Sequence, residues 1–239
     1  MTTGEGLIFL EDIREFLDRL FLVHCYNEAE RGGVYLPSSR RIKRFGLVLE
    51  PGTQLKEWAL ANSVDGLFLH RPWKLQPSQL PSNVGVISYH LPFDERLTLG
   101  FNRRLAEVLG ISSITVLGHK DTRAIGMIGD VSIQSFSNLS NCINQVFGGY
   151  EQVLAAEQTE VRKIAVVGAM TDLLVREAAD KGADVYITGQ LRQPALEAMQ
   201  ETKIAAIAIG HRRSEAWGLR VLAGLLRERW ASLEVIIAP

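Results

Sequence analysis

Cysteine is scarce: only Cys25 and Cys142 occur in 239 residues, far apart and outside any CxxC spacing. That excludes a disulfide framework and a thiolate zinc site, and it implies a reducing, cytoplasmic setting with two buried thiols. Charge of one sign is also missing. A formal net charge of −1 argues against general nucleic-acid binding, because phosphate backbones reward clustered positive charge. No apolar run approaches the ~20 residues that cross a bilayer. Residues Met1 to Glu5 lack a basic start, and acids follow at Glu11, Asp12, Glu15 and Asp18, which is not the pattern of a signal peptide. Two catalytic signatures are absent. The stretches around Gly168 and Gly189 fit neither phosphate-loop pattern, and there is no G-x-S-x-G elbow.

What is present is globular: 46% hydrophobic and 22% charged residues, enough chain to bury a sizeable core. Leu10, Ile13, Phe16, Leu17 and Leu20 recur at helical spacing and predict an amphipathic helix from Leu10 to Leu22. Asn27 to Arg44, with two glycines, Pro37 and a basic cluster of Arg40, Arg41, Lys43 and Arg44, is expected to be a solvated loop. Apolar runs then alternate with helical segments. Strands are expected at Phe45–Leu49, Val64–Leu69, Val84–Tyr89 and Ile114–Leu117, with helices at Leu55–Ala61 and Asn102–Leu109. Gly126 to Gly129 reads as a turn before a helix from Ser135 to Val146. After a polar interruption at 148–160 come strands at Lys163–Val167, Val185–Ile187, Ile204–Ile209 and Val235–Ile237. Helices at Asp172–Lys181, Pro194–Gln200 and Ser214–Trp230 separate them. This alternation predicts an α/β fold of βαβ units with a largely parallel sheet, in two lobes of about 1–147 and 161–239.

Three of the five histidines stand directly after strand-like runs: His70, His90 and His211. Ligands of open α/β sheets bind at the carboxyl ends of strands, so these are the positions where functional side chains collect. A polar residue often ends a strand for no further reason, which would explain one such histidine more easily than three. His90 is followed four residues later by Asp94, and His211 by Glu215. On a helix that spacing sets both side chains on one face. Imidazole with carboxylate suits a divalent zinc, iron, manganese or nickel ion, although such pairs also occur on ordinary surfaces. His24 and His119 read as surface or hydrogen-bonded histidines. Trp73 is expected to wall a pocket, while Trp58, Trp217 and Trp230 belong to helix faces in the core.

These pieces together resemble the Nif-three-like family, whose bacterial members include GTP cyclohydrolase type 2 relatives. Asp65 to Pro72 resembles the family's strand ending in His-His-Pro, and Tyr89 to Asp94 its His-Thr-x-x-Asp segment. Gly182 to Gly189 resembles its Gly-Ala-Asp-x-x-x-Thr-Gly strand end, and Gly210 to Glu215 its Gly-His-x-x-[Thr/Ser]-Glu motif. The resemblance implies a single two-lobed Nif-three-like domain with mixed or parallel sheets flanked by helices, and a homo-hexameric assembly. It implies that His70, Asp94, His211 and Glu215 are metal ligands for one or two ions, with Asp94 or Glu215 able to bridge, and that His90 is a further ligand or a partner that supports one. The inserted domain of longer relatives is missing.

Departures from the pattern share a direction. Arg71 stands where the family has its second histidine, Gln190 where an aspartate follows Thr-Gly, and Arg212 where the residue is usually aromatic. The N-terminal Asp-Asn-x-Gly-Leu element is reduced to Tyr26-Asn27-Glu28. A guanidinium repels a cation rather than ligating it. The expectation is therefore a site with one strong metal position, where Arg71 and Arg212 recruit a small anionic, nucleotide or phosphorylated substrate. Glu215 and His90 would move protons in a hydrolysis. A non-catalytic metal-binding scaffold is the competing expectation.

Overall fold

The computed structural model describes residues 6–155 and 160–239; the reading of Met1 to Glu5, and residues 156–159 of the expected junction, lie outside them. Helix α1 (Leu10–Phe21) forms where its periodicity predicts, burying Leu10, Ile13, Leu17 and Phe21. Its first turn is closed by Asp12, whose carboxylate accepts the Phe9 N–H at 2.8 Å, and it ends at Leu22 in the left-handed region.

Two compact units make up the chain. One comprises the residues up to Phe93 together with Leu219–Pro239; the other is Asp94–Gly218. The first carries β1 (Gly33–Leu36), β2 (Arg44–Val48), α2 (Leu55–Ala61), β3 (Gly66–Leu69), β4 (Gly85–Ser88) and β13 (Glu234–Ile237). Its sheet runs β1-β4-β3-β2-β13. All neighbours are parallel except β1, which runs antiparallel to β4. Val48, Leu55, Ala59, Leu67, Leu69 and Val86 fill the space beneath α2.

The second unit holds α4 (Arg103–Val108), β5 (Ser112–Val116), the hairpin β6 (His119–Lys120) and β7 (Arg123–Ala124), β8 (Gly126–Ser135), α5 (Phe136–Phe147) and β9 (Gln152–Leu154). It continues through β10 (Glu160–Val167), α6 (Asp172–Asp180), β11 (Val185–Thr188), α7 (Gln193–Thr202) and β12 (Ala205–Ala208). The sheet order is β5-β8-β10-β11-β12-β9, parallel only across β10-β11-β12. Tyr186, Val167, Val175, Ala178, Ala195 and Met199 form its core. Both unit boundaries fall inside helices, in α3 (Leu91–Leu97) and α8 (His211–Arg229).

Each unit repeats one device. Asp65, just before β3, accepts the N–H groups of Lys43 and Arg44 at 2.9 and 3.0 Å. Asp184, just before β11, accepts those of Arg162 and Lys163 at 2.7 and 2.9 Å. Two residues earlier, Ser63 (φ 49°) and Gly182 (φ 79°) both take the left-handed turn out of the preceding helix. In each unit the carboxylate satisfies the two N–H groups just ahead of where one strand's parallel pairing begins, while standing directly before the next strand.

Four expectations change. The units do not divide at 148–160, because β5 and β8 share a sheet with β10, while β13 returns to β2. Gly126 and Gly129 lie within β8 rather than in a turn. A Cβ on Gly129 would sit 2.4 Å from the Ser112 carbonyl, so glycine here permits close strand approach. The loop expected from Asn27 to Arg44 contains β1. The sheets are mixed rather than largely parallel, as antiparallel β1, β5, β8 and β9 flank the parallel strands.

Candidate metal centre

His70 leaves β3 with its N–H on the Val48 carbonyl at 3.0 Å, which carries the parallel ladder one residue past the strand. The side chain is fully buried, and Nδ1 lies 3.0 Å from the Tyr89 carbonyl oxygen. A carbonyl only accepts, so Nδ1 carries a proton, and in the neutral ring the lone pair is on Nε2. That is the tautomer a metal-ligating imidazole needs, held by the kind of outer contact that orients such ligands. Phe93 packs on the same ring at 4.8 Å between centroids, and His90 at 4.9 Å.

His90 follows β4 and directly precedes α3, which places Asp94 in the helix's first turn. One ligand atom from each of His70, His90 and Asp94 lies within 4.8 Å of the others, the group of this kind among the described residues. Two imidazoles, which are borderline donors, and one hard carboxylate suit a first-row divalent ion. Trp73 stands beside them, edge-on to His90 at 4.9 Å and 65% exposed; it rims the cluster rather than walling a closed pocket.

Tyr89 anchors the strand end from below. Its hydroxyl donates to Asp18 Oδ1 at 2.5 Å, and Asp18 also pairs with Arg14. Burial, then the Asp18 carboxylate, pushes the phenol well above its ordinary range. The sequence hinted at neither this anchor nor the Tyr89 carbonyl contact, since both join residues far apart in the chain.

The remaining expected residues stand as follows. Arg71 Nη1 pairs with Glu50 Oε1 at 2.9 Å, so its charge is engaged by an acid. His211 opens α8 and is exposed, its ring lying against Gly189: a Cβ there would be 3.1 Å from Cε1. Glu215, one turn on, is buried at 4% exposure. The tight cluster consists of His70, His90 and Asp94, and does not include His211 or Glu215. Arg212 and Gln190 are exposed, as are His24 and His119. In the basic stretch, Arg40 pairs with Asp65 at 2.7 Å and Arg44 with Glu234 at 2.5 Å. No described helix is long and apolar enough to cross a membrane.

The sequence model of the Duf34/NIF3 family (NGG1p interacting factor 3) matches residues 8–239. A GTP cyclohydrolase 1 type 2 homolog of Neisseria meningitidis serogroup A is 28% identical over 153 residues, covering 63% of this chain and 61% of that protein. The match thus spans about three fifths of the Neisseria protein's length. The Archaeoglobus fulgidus protein of the same description is 23% identical over 233 residues, 92% of this chain and 94% of its own. Among solved structures, protein ybgI, described as of unknown function, superposes with a TM-score of 0.78 at 19% identity, over 97% of this chain and 98% of that one.

Proposed function

The chain belongs to the Duf34/NIF3 family, and on that premise we propose that it is a divalent-metal protein that hydrolyses a small anionic substrate. The observation that carries this is the His70–His90–Asp94 cluster, with the His70 tautomer set by the Tyr89 carbonyl. We assign His211 and Glu215 as further ligands. They repeat the four-residue spacing of His90 and Asp94 after the third strand of the other unit's parallel run, with His211 opening α8 where His90 directly precedes α3.

When bound, the ion supplies a Lewis acid and an activated water nucleophile near neutral pH. The chain's own groups do the rest. His70 and Asp94 fix the donor geometry, and burial of His70 excludes bulk water from one side. Glu215, or His90 where it is not bound to the ion, carries protons to and from the reacting oxygens. Arg212 presents its guanidinium at the start of α8 to a phosphate or carboxylate. Arg71, already held by Glu50, leaves the cluster with one strong ion position.

The second reading, a non-catalytic metal-binding scaffold, is favoured by that same Arg71, because a lost histidine suits altered chemistry and lost chemistry alike. One experiment separates them. Protein stripped with chelator is reloaded with Zn2+, Mn2+, Fe2+ or Ni2+, its metal content is measured, and hydrolysis of phosphorylated small molecules is compared with a Glu215→Gln variant. We expect one tightly held ion per chain, lost in His70→Ala and Asp94→Ala, and turnover that Glu215→Gln abolishes. Metal binding without turnover leaves the scaffold; a chain that takes up no metal sinks both.

A further inference from the structure

Arg123 is the largest of the fully buried side chains, 1% exposed. It sits on β7 of the small hairpin, after Asp121 makes the left-handed turn. Its guanidinium grips Glu95 side-on, Nε to Oε2 at 3.1 Å and Nη2 to Oε1 at 3.4 Å, while Nη1 stands 3.7 Å from Asp121. Glu95 is itself buried, 7% exposed. Taking two charges out of water is costly, and apolar residues of similar volume generally hold a core together at least as well. A buried pair of this kind is therefore a poor stabiliser, but a directional fork that fixes the element it holds.

The element held is α3. Glu95 directly follows Asp94, so the fork grips the helix one residue from the cluster's carboxylate. The far end of α3 is fixed as well. The Asp94 carbonyl accepts the Thr98 hydroxyl at 2.7 Å, the Thr98 carbonyl accepts from Asn102 Nδ2 at 3.1 Å, and Asn102 caps α4. Gly100 closes the turn so tightly that a Cβ would lie 2.0 Å from the Glu95 carbonyl oxygen. A helix of seven residues has too few internal bonds to set its own orientation. Its rotation about the axis is set by these outside contacts, among which Glu95–Arg123 is buried and charged.

We infer that Arg123 is a positioning residue for metal binding: through Glu95 it fixes the rotation of α3 and so aims the Asp94 carboxylate at His70 and His90. This rests on the metal reading above. Zn2+ affinity is measured by titration calorimetry, and Co2+ absorption reports coordination geometry. Both are applied to wild type, Arg123→Lys and the double variant Glu95→Leu/Arg123→Met, with melting in EDTA as the fold readout. The double variant removes both charges at similar volume, so it is expected to melt near the wild-type temperature in EDTA. It should nevertheless bind Zn2+ roughly 10–100-fold more weakly, the range for lost outer-shell support, with an altered Co2+ spectrum. Arg123→Lys keeps the charge without the fork, and should lose about tenfold by the same reasoning. If either variant melts as a folded protein and binds Zn2+ with wild-type affinity and spectrum, Arg123 is structural only and the inference fails. If wild type itself binds no Zn2+, the metal reading fails first, and that result is seen before any variant is compared.

Discussion

Replacing Tyr89 by phenylalanine removes one oxygen and nothing of the ring's packing against Phe21, 5.0 Å away. In the wild type the hydroxyl is buried and donates to Asp18 at 2.5 Å. A hydrogen bond to a charged acceptor contributes about 1.5–3 kcal/mol. Asp18 is 24% exposed and keeps its Arg14 pair, so the lower end applies, ~1.5 kcal/mol at neutral pH. The pH dependence is more diagnostic. The folded phenol titrates above its ordinary value of 10.0 because burial and Asp18 disfavour the phenolate. A raised folded value stabilises fully below pH 10, and that contribution is lost as pH climbs, because the unfolded chain releases a proton the folded one retains. Between pH 10 and 11 the loss approaches 1.4 kcal/mol per pH unit. Urea unfolding at pH 8, 10 and 11 reads this directly as the difference between wild type and Tyr89→Phe, in which all other titrations cancel. The variant should start ~1.5 kcal/mol less stable and converge on wild type by pH 11. Parallel losses in the two proteins would refute the assignment of a neutral, Asp18-bound phenol.

Two glycines are expected to respond in opposite directions. Gly100→Ala forces a Cβ onto the Glu95 backbone and should cost about 3 kcal/mol, whereas Gly224→Ala, in α8 with nothing within 4 Å of the added Cβ, should gain about 0.5–1 kcal/mol; thermal melts decide both. Asp65→Ala and Asp184→Ala each leave two strand N–H groups without their acceptor. Denaturant titration should show a loss of about 2–3 kcal/mol in each, larger for Asp65, which is buried and also holds Arg40.

Elements with a regular apolar face were legible in the sequence. The apolar spacing of α1 and the bounds of α2 came through because a buried helical face leaves a regular mark. Elements without such a mark did not. β1 is hidden among glycines and proline, α3 is seven residues long with Pro92 in its first turn, and β8 carries glycines that serve close strand contact. The division into units was illegible for a different reason: strand pairing joins β5 and β8 to β10 and sends β13 back to β2, and composition at 148–160 does not record it. At the site, His70, His90 and Asp94 were readable because chemistry gathers at strand ends. Their supports were not, since Tyr89 lies 19 residues from His70 and Arg123 lies 28 from Glu95. The matching Asp65 and Asp184 devices leave little mark in the sequence, because only an aspartate and one turn residue repeat.

The most direct test of the metal centre is anomalous diffraction at the zinc edge from crystals grown with Zn2+. A peak about 2.0–2.2 Å from His70 Nε2, shared by His90 and Asp94, is the predicted result. With zinc in excess, an empty map at that cluster, or a zinc bound only elsewhere on the chain, would contradict the account.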